Sequence, residues 1–177
     1  GADEVLLGYD IFRETLIRRF WSRQPDSKFR GHLISRLYDY LPQYRNRRYL
    51  ALLLDFYRPF LADKGDPHYA MAVRWANGKA LETYFGPQLK DALETIDPVD
   101  DLNAALPASY LEGDDIDRAQ CIENHSLLAN YLLSSQGDRM SMAHSVEGRY
   151  PYLDEEFIAF TARLPRKQKL RRLRDKF

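Results

Sequence analysis

The stretch Gly137–Asp154, GDRMSMAHSVEGRYPYLD, decides how the chain is read, because helical periodicity stops there. Asp138, Arg139, Ser141, His144, Ser145, Glu147, Arg149 and Asp154 stand among Met140, Met142, Val146, Tyr150, Tyr152 and Leu153, with glycines at 137 and 148 and a proline at 151. That mixture reads as an ordered loop holding one short turn, with Gly137 releasing the chain from the helix before it. So many polar groups beside apolar ones call for internal partners, since a buried charge without one is costly. An ion-pair network bracing a loop between two helices is the structural reading, and a ligand pocket is the functional one.

Helical patterns lie on both sides. Upstream, the acidic start Glu112-Gly113-Asp114-Asp115 suits a helix N-terminus, and residues 116–133 read as four or more turns. Downstream, Phe157, Ile158, Phe160, Thr161 and Leu164 give an apolar face from Glu155 to Pro165, followed by a basic, helix-compatible run. At the front, Val5, Leu6, Tyr9, Phe12, Leu16 and Phe20 predict one helix ending near Gln24-Pro25. A second pattern runs through Leu33, Leu37 and Leu41, and a third through Leu50, Leu53, Leu54, Tyr57 and Leu61 to Gly65-Asp66-Pro67. Short helices over 68–75, 80–85 and 87–93 are expected, punctuated by Asn77-Gly78 and Gly86-Pro87. No alternating strand pattern and no internal repeat stands out. The expected fold is all-α, an irregular helical bundle forming a single domain over 1–177.

Composition bounds the function. With 45% hydrophobic and 13% aromatic residues the chain has material for one core. Its 26 basic and 26 acidic side chains cancel, which gives no global attraction to nucleic acid or an anionic membrane. The longest apolar runs fall well short of the roughly 20 residues of a membrane span, no secretory signal pattern opens the chain, and a cytoplasmic location is expected. A single cysteine, Cys121, excludes an internal disulfide and a multi-thiolate metal site. His125 and His144 lack a second ligand at metal spacing.

The spacing Asp-x-x-Ser-Met-Ala-x-Ser-x-Glu-x-Arg-x-Pro-Tyr-Leu-Asp, carried by Asp138, Ser141, Met142, Ala143, Ser145, Glu147, Arg149, Pro151, Tyr152, Leu153 and Asp154, resembles the signature of asparagine synthetases and their relatives. The opening Gly1-Ala2-Asp3-Glu4-Val5-Leu6-Leu7-Gly8-Tyr9 is similar to a second motif of that family, Gly-Glu-Gly-(Ala/Ser)-Asp-Glu-x-x-x-Gly-Tyr, without its first two residues. Residues 170–177, LRRLRDKF, are similar to a segment in which a lysine precedes an aromatic residue. The three are collinear, while residues 23–115 carry no recognised motif. Gln136 departs from the family, whose members often have a basic residue there.

The resemblance implies the C-terminal helical portion of an α/β adenine-nucleotide-hydrolase-like (PP-loop) synthetase domain. Most of the sheet half, the Ser-Gly-Gly-x-Asp-Ser pyrophosphate loop and an N-terminal glutaminase domain would then lie in other parts of a longer polypeptide. It implies ATP and Mg²⁺, with aspartate and glutamine-derived ammonia as the other reactants. The aspartate carboxylate would attack the α-phosphate of ATP, releasing pyrophosphate, and ammonia would then displace AMP to give asparagine. By the same match Asp3 would be a catalytic carboxylate holding Mg²⁺, and Lys176 the cation that steadies the phosphates. Glu4, Ser141, Ser145, Glu147 and Arg149 would line the pocket, with Glu147 bracing it rather than touching substrate. Partners would be the missing parts of the same polypeptide and a second copy in a homodimer. Two other readings stand beside it: a related amidotransferase acting on a sugar polymer, a peptide or a β-lactam precursor, and a helical interaction module whose basic tail, residues 166–176, binds an anionic partner such as RNA.

Overall fold

The computed structural model describes residues 1–38, 40–62 and 65–175. The all-α expectation holds: helices α1 (Ala2–Val5), α2 (Asp10–Ser22), α3 (Arg47–Tyr57), α4 (Ala72–Lys79), α5 (Pro87–Leu93), α6 (Pro98–Ala105), α7 (Asp115–Ile122), α8 (Arg139–Ala143), α9 (Glu155–Arg163) and α10 (Arg166–Lys169) are joined by 3₁₀ turns. Between α7 and α8 the chain continues without a break as a π-helix, Glu123–Asp138.

α2 is the axis of the domain. Its first half puts Ile11 and Phe12 into a cluster with Leu7, Ala70, Met71, Tyr110, Ile116, Ala119, Ile122 and Leu170. Its second half puts Ile17 and Trp21 into another with Ile34, Leu37, Leu53, Tyr57, Leu61 and Val73. At about 25 cal/mol per Å² of apolar surface removed from water, these contacts supply the main drive for folding. α2 also buries a charge. Arg18, fully enclosed, donates to Glu14 Oε1 (3.0 Å), to the carbonyl of Phe60 (3.1 Å) and to that of Tyr69 (2.8 Å). Tyr57 adds its hydroxyl to Glu14 (3.4 Å), and Tyr38 bonds that hydroxyl in turn (2.8 Å).

The start of α7 behaves as the acidic run suggests. Asp114 Oδ1 accepts from the N–H groups of Ile116 (2.8 Å) and Asp117 (3.1 Å), and Asp117 Oδ2 accepts from the Asp114 N–H (3.1 Å), a reciprocal capping box. Bidentate pairing of Arg19 with Asp115 and an Arg166–Asp114 pair tie α2 and α10 to this start.

Four local expectations need correction. The first helix is two, because Leu7 sits in the left-handed region (φ 59) and the Gly8 N–H reaches back to the Asp3 carbonyl at 2.8 Å, ending α1. Burial of Leu7 in the core offsets the strain of that conformation. Asn77-Gly78 does not break α4, since no glycine has positive φ among the described residues and a helical glycine costs only about 1 kcal/mol. Gly137 does not release the chain either, and the helical course runs on through Ala143. The basic tail is helical only to Lys169. Leu170–Arg171 then pairs antiparallel with Arg174–Asp175 around Arg172 (φ 49) and Leu173 (φ 64), the positive-φ pair of a tight hairpin.

Candidate active site

The two motif segments, at opposite ends of the chain, meet in space. α1 packs against the π-helix, against the 3₁₀ turn Pro151–Leu153 and against α9. The approach is close: a side chain at Gly1 would run into Leu153. Asp3 therefore lies half-buried on a one-turn helix that is wedged onto the end of the 137–154 segment.

Successive helical residues point about 100° apart, so neighbouring acids at 3 and 4 separate. Glu4 turns inward. It is 1% exposed, and its Oε1 accepts from the Tyr9 hydroxyl at 2.6 Å. Burial, then the Glu4 hydrogen bond and the charges of Glu4, Asp3 and Glu123, push the Tyr9 hydroxyl well above its ordinary range. Gln120, on α7, donates from Nε2 to the carbonyls of Glu4 (2.7 Å) and Val5 (3.2 Å). Glu123, fully buried at the first position of the π-helix, takes Arg74 Nη1 on Oε1 at 2.5 Å.

The π-helix shapes the other wall. Its wider turn stacks side chains five residues apart, visible in Asn130 Nδ2 donating to the His125 carbonyl (3.0 Å), Ser135 Oγ to the Asn130 carbonyl (3.3 Å) and Gln136 Nε2 to the Tyr131 hydroxyl (2.7 Å). Gln136, the departure from the resembled pattern, is thus engaged along its own helix. At Gly137 the Leu132 carbonyl, five residues back, and the Tyr150 hydroxyl would lie 2.9 and 2.7 Å from any added Cβ. Glycine is needed there for close approach and not for a turn. Tyr150 in turn donates to Asp138 (3.3 Å), closing the loop on the helix end.

Beyond α8 the loop follows a definite pattern. The Ser145 N–H bonds the Met142 carbonyl (3.0 Å) and the Val146 N–H the Ser141 carbonyl (2.9 Å), with Ser145 in the left-handed conformation at φ 57. This is a Schellman ending with serine where glycine is usual. Asp154 accepts from the Phe157 N–H (3.0 Å) and caps α9. Glu147 and Arg149 pair at 2.8 Å, yet their side chains stay 70% and 82% exposed. The expected internal ion-pair network is therefore an exposed pair, worth at most about 1 kcal/mol.

The structure thus brings Asp3 and Glu4 to one side of the 151–153 turn and holds Ser141, Ser145, Glu147 and Arg149 on the continuous run from α8. Lys176 lies outside the described residues. Among those described, no group of three His, Cys, Asp or Glu is placed to hold a metal, so an Mg²⁺ at Asp3 would have no all-protein cage among them. Mg²⁺ is commonly held by one or two carboxylates together with substrate phosphates, which such a donor suits. A cavity of about 290 Å³ opens elsewhere, between α2 and the start of α7, beside Arg19, Ser22, Arg23, Asp114, Asp115 and Arg166. Two of its arginines are already committed to Asp114 and Asp115, and the motif residues take no part in its lining. Sequence reasoning did not single out Tyr9, Arg74, Gln120 or Glu123 as site residues. Tyr9 stood inside a quoted motif, but the other three carry no local signal.

A model of the family described as asparagine synthase matches residues 1–177. Proteins named "Putative asparagine synthetase (glutamine-hydrolyzing)" from Mycobacterium bovis and Mycobacterium tuberculosis are 28% identical over 181 residues, an alignment that takes in 100% of this chain and 25% of each of them. The chain therefore spans about a quarter of the length of these relatives. No solved structure matches. Among the described residues, no helix is long and apolar enough to cross a membrane.

Proposed function

This chain belongs to the asparagine synthase family, and we propose that it forms the helical wall of the pocket of an ATP-dependent amide ligase. In that pocket a carboxylate of aspartate attacks the α-phosphate of ATP and expels pyrophosphate. Ammonia, drawn from glutamine, then attacks the acyl carbon, loses a proton and releases AMP with asparagine. The observation that carries the reading is the contact of α1 with the Pro151–Leu153 turn, which joins motifs about 150 residues apart in sequence.

Both steps gather negative charge at phosphate oxygens. The role proposed for Asp3 is to hold Mg²⁺, which when bound would neutralise that charge. Lys176 is proposed to lie against the same phosphates. Ser141, on the last turn before the loop, and Arg149, whose guanidinium suits bidentate contact with carboxylate or phosphate, would face the acyl or adenylyl group. Ser145 and Glu147 are proposed to set the course of the loop between them. The pyrophosphate loop and the glutaminase would come from other parts of the polypeptide, and a second copy completing a homodimer remains part of the proposal.

Asp3→Asn in the longer polypeptide should lower ATP–pyrophosphate exchange at least 100-fold with an unchanged circular dichroism spectrum. Exchange at the wild-type rate would refute the role of Asp3. Product analysis with aspartate separates asparagine formation from amidation of another carboxylate, the reading that 28% identity supports as second. The reading as a helical module with an anionic partner rests on the tail alone, in which Lys169 and Leu170 are buried while Lys167, Arg171 and Arg172 are exposed, and steep salt dependence of binding by the chain would support it.

A further inference from the structure

One helical turn is too short to hold its own place in water. Besides the Pro151–Leu153 turn and α9, what holds α1 is one face of α7 and its continuation. Gln120 supplies donors to the carbonyls of Glu4 and Val5, groups that a helix end leaves without partners. One turn further on, Glu123 brings its carboxyl near that of Glu4, which is fixed from the other side by the Tyr9 hydroxyl. We propose that Gln120, Glu123 and Tyr9 are positioning residues that seat the Ala2–Val5 turn from within and thereby aim the Asp3 carboxylate. The proposal rests on the reading of Asp3 given above.

Charge decides how Glu123 does this. The groups facing it are Glu4 and Tyr9 from the α1 side and Arg74 from α4. Asp3 acts on Tyr9, Glu14 lies within reach of the Arg74 charge, and the Gly1 nitrogen stands 3.3 Å from Glu4 Oε2. The one guanidinium paired with Glu123, that of Arg74, belongs to a side chain that is 47% exposed. Glu123 Oε2 is buried with no hydrogen-bond partner. A charged oxygen in that position costs far more than a neutral one. Burial raises the Glu123 carboxyl, Arg74 works against it and the Glu4 charge adds to it, leaving it above the ordinary range. With its proton on, Glu123 does not repel Glu4 and the turn stays seated. As pH rises and the proton leaves, two negative charges face each other beneath α1.

Hydrogen exchange on the chain tests this at the amides of Leu6 and Gly8, which close the turn by bonding the carbonyls of Ala2 (3.0 Å) and Asp3 (2.8 Å). After correction for intrinsic rates, protection in the wild type should fall about 10-fold or more as pH is raised above the ordinary carboxyl range, through the raised titration of Glu123. Glu123→Gln, neutral and of the same shape, should hold the low-pH protection throughout, while Glu123→Ala should lose it at every pH. A flat wild-type profile, or a Glu123→Gln profile that falls as the wild type does, overturns the proposal. That comparison decides even where the alanine variant does not fold. In the longer polypeptide Glu123→Ala should cut kcat for ATP–pyrophosphate exchange at least 10-fold, with the glutamine variant restoring it. Loss in both variants alike would mark Glu123 as merely structural. A wild-type polypeptide without exchange would count against the ligase reading alone, since amide protection is measured without substrate.

Discussion

Replacing Ser145 by glycine should stabilise this protein while damaging the site it borders. Ser145 holds φ at 57° to let the Ser145 and Val146 N–H groups reach the carbonyls of Met142 and Ser141. A left-handed conformation costs an L-residue about 1–2 kcal/mol, whereas glycine adopts it freely at an entropic cost of about 0.5–1 kcal/mol in the unfolded chain. The serine side chain is exposed, so its removal forfeits no packing. The balance is a gain of about 0.5–1 kcal/mol, which at roughly 2–4 °C per kcal/mol for a domain of this size raises Tm by about 1–4 °C. Calorimetry, with urea unfolding as an independent check, measures it. Strained backbone positions cluster at functional sites, so the same variant in the longer polypeptide should lose at least 5-fold in ATP–pyrophosphate exchange. A Tm below wild type would refute the conformational argument, and a stabilised variant with full exchange would refute the functional one.

Arg18→Met leaves Glu14 enclosed beside carbonyls that have lost their donors, and should cost about 3–5 kcal/mol in urea unfolding. Adding Glu14→Gln to it should return part of that loss, and a double variant weaker than the sum of the singles would contradict the pairing. The pH profile follows from the buried acids. Burial lifts Glu14 and Glu123 against the opposing pull of Arg18 and Arg74. The folded protein therefore keeps these protons to higher pH than the unfolded chain, and stability falls as pH rises out of the ordinary carboxyl range toward the folded values. Asp114 has the opposite sign: burial works to raise it, but the Asp117 N–H, Arg166 and the Ile116 N–H prevail and hold it low. Its contribution is present above the ordinary carboxyl range and is lost in acid. Thermal melts from pH 3 to 8.5 should accordingly peak at mildly acidic pH, with the alkaline decline reduced in Glu14→Gln and Glu123→Gln together.

What the linear chain determined by itself was the helical class, the start of α7, the bounds of α9 and the family. Those features are short-range: Asp114 and Asp154 cap helices within three residues of themselves, and apolar spacing over a few turns marks a buried face. The conformations that depend on burial were beyond it. Nothing beside Leu7 announces a left-handed residue, because only the core around it offsets the strain. Gly137 looked like a helix end and is instead the place where a π-turn and Tyr150 leave no room for a Cβ. Tertiary structure alone decided that Glu4 is the acid turned inward and set Gln120 and Glu123 beneath α1. Those contacts join residues 115 and more positions apart, and their energies come from a dry interior that exists only once the whole chain has closed around it.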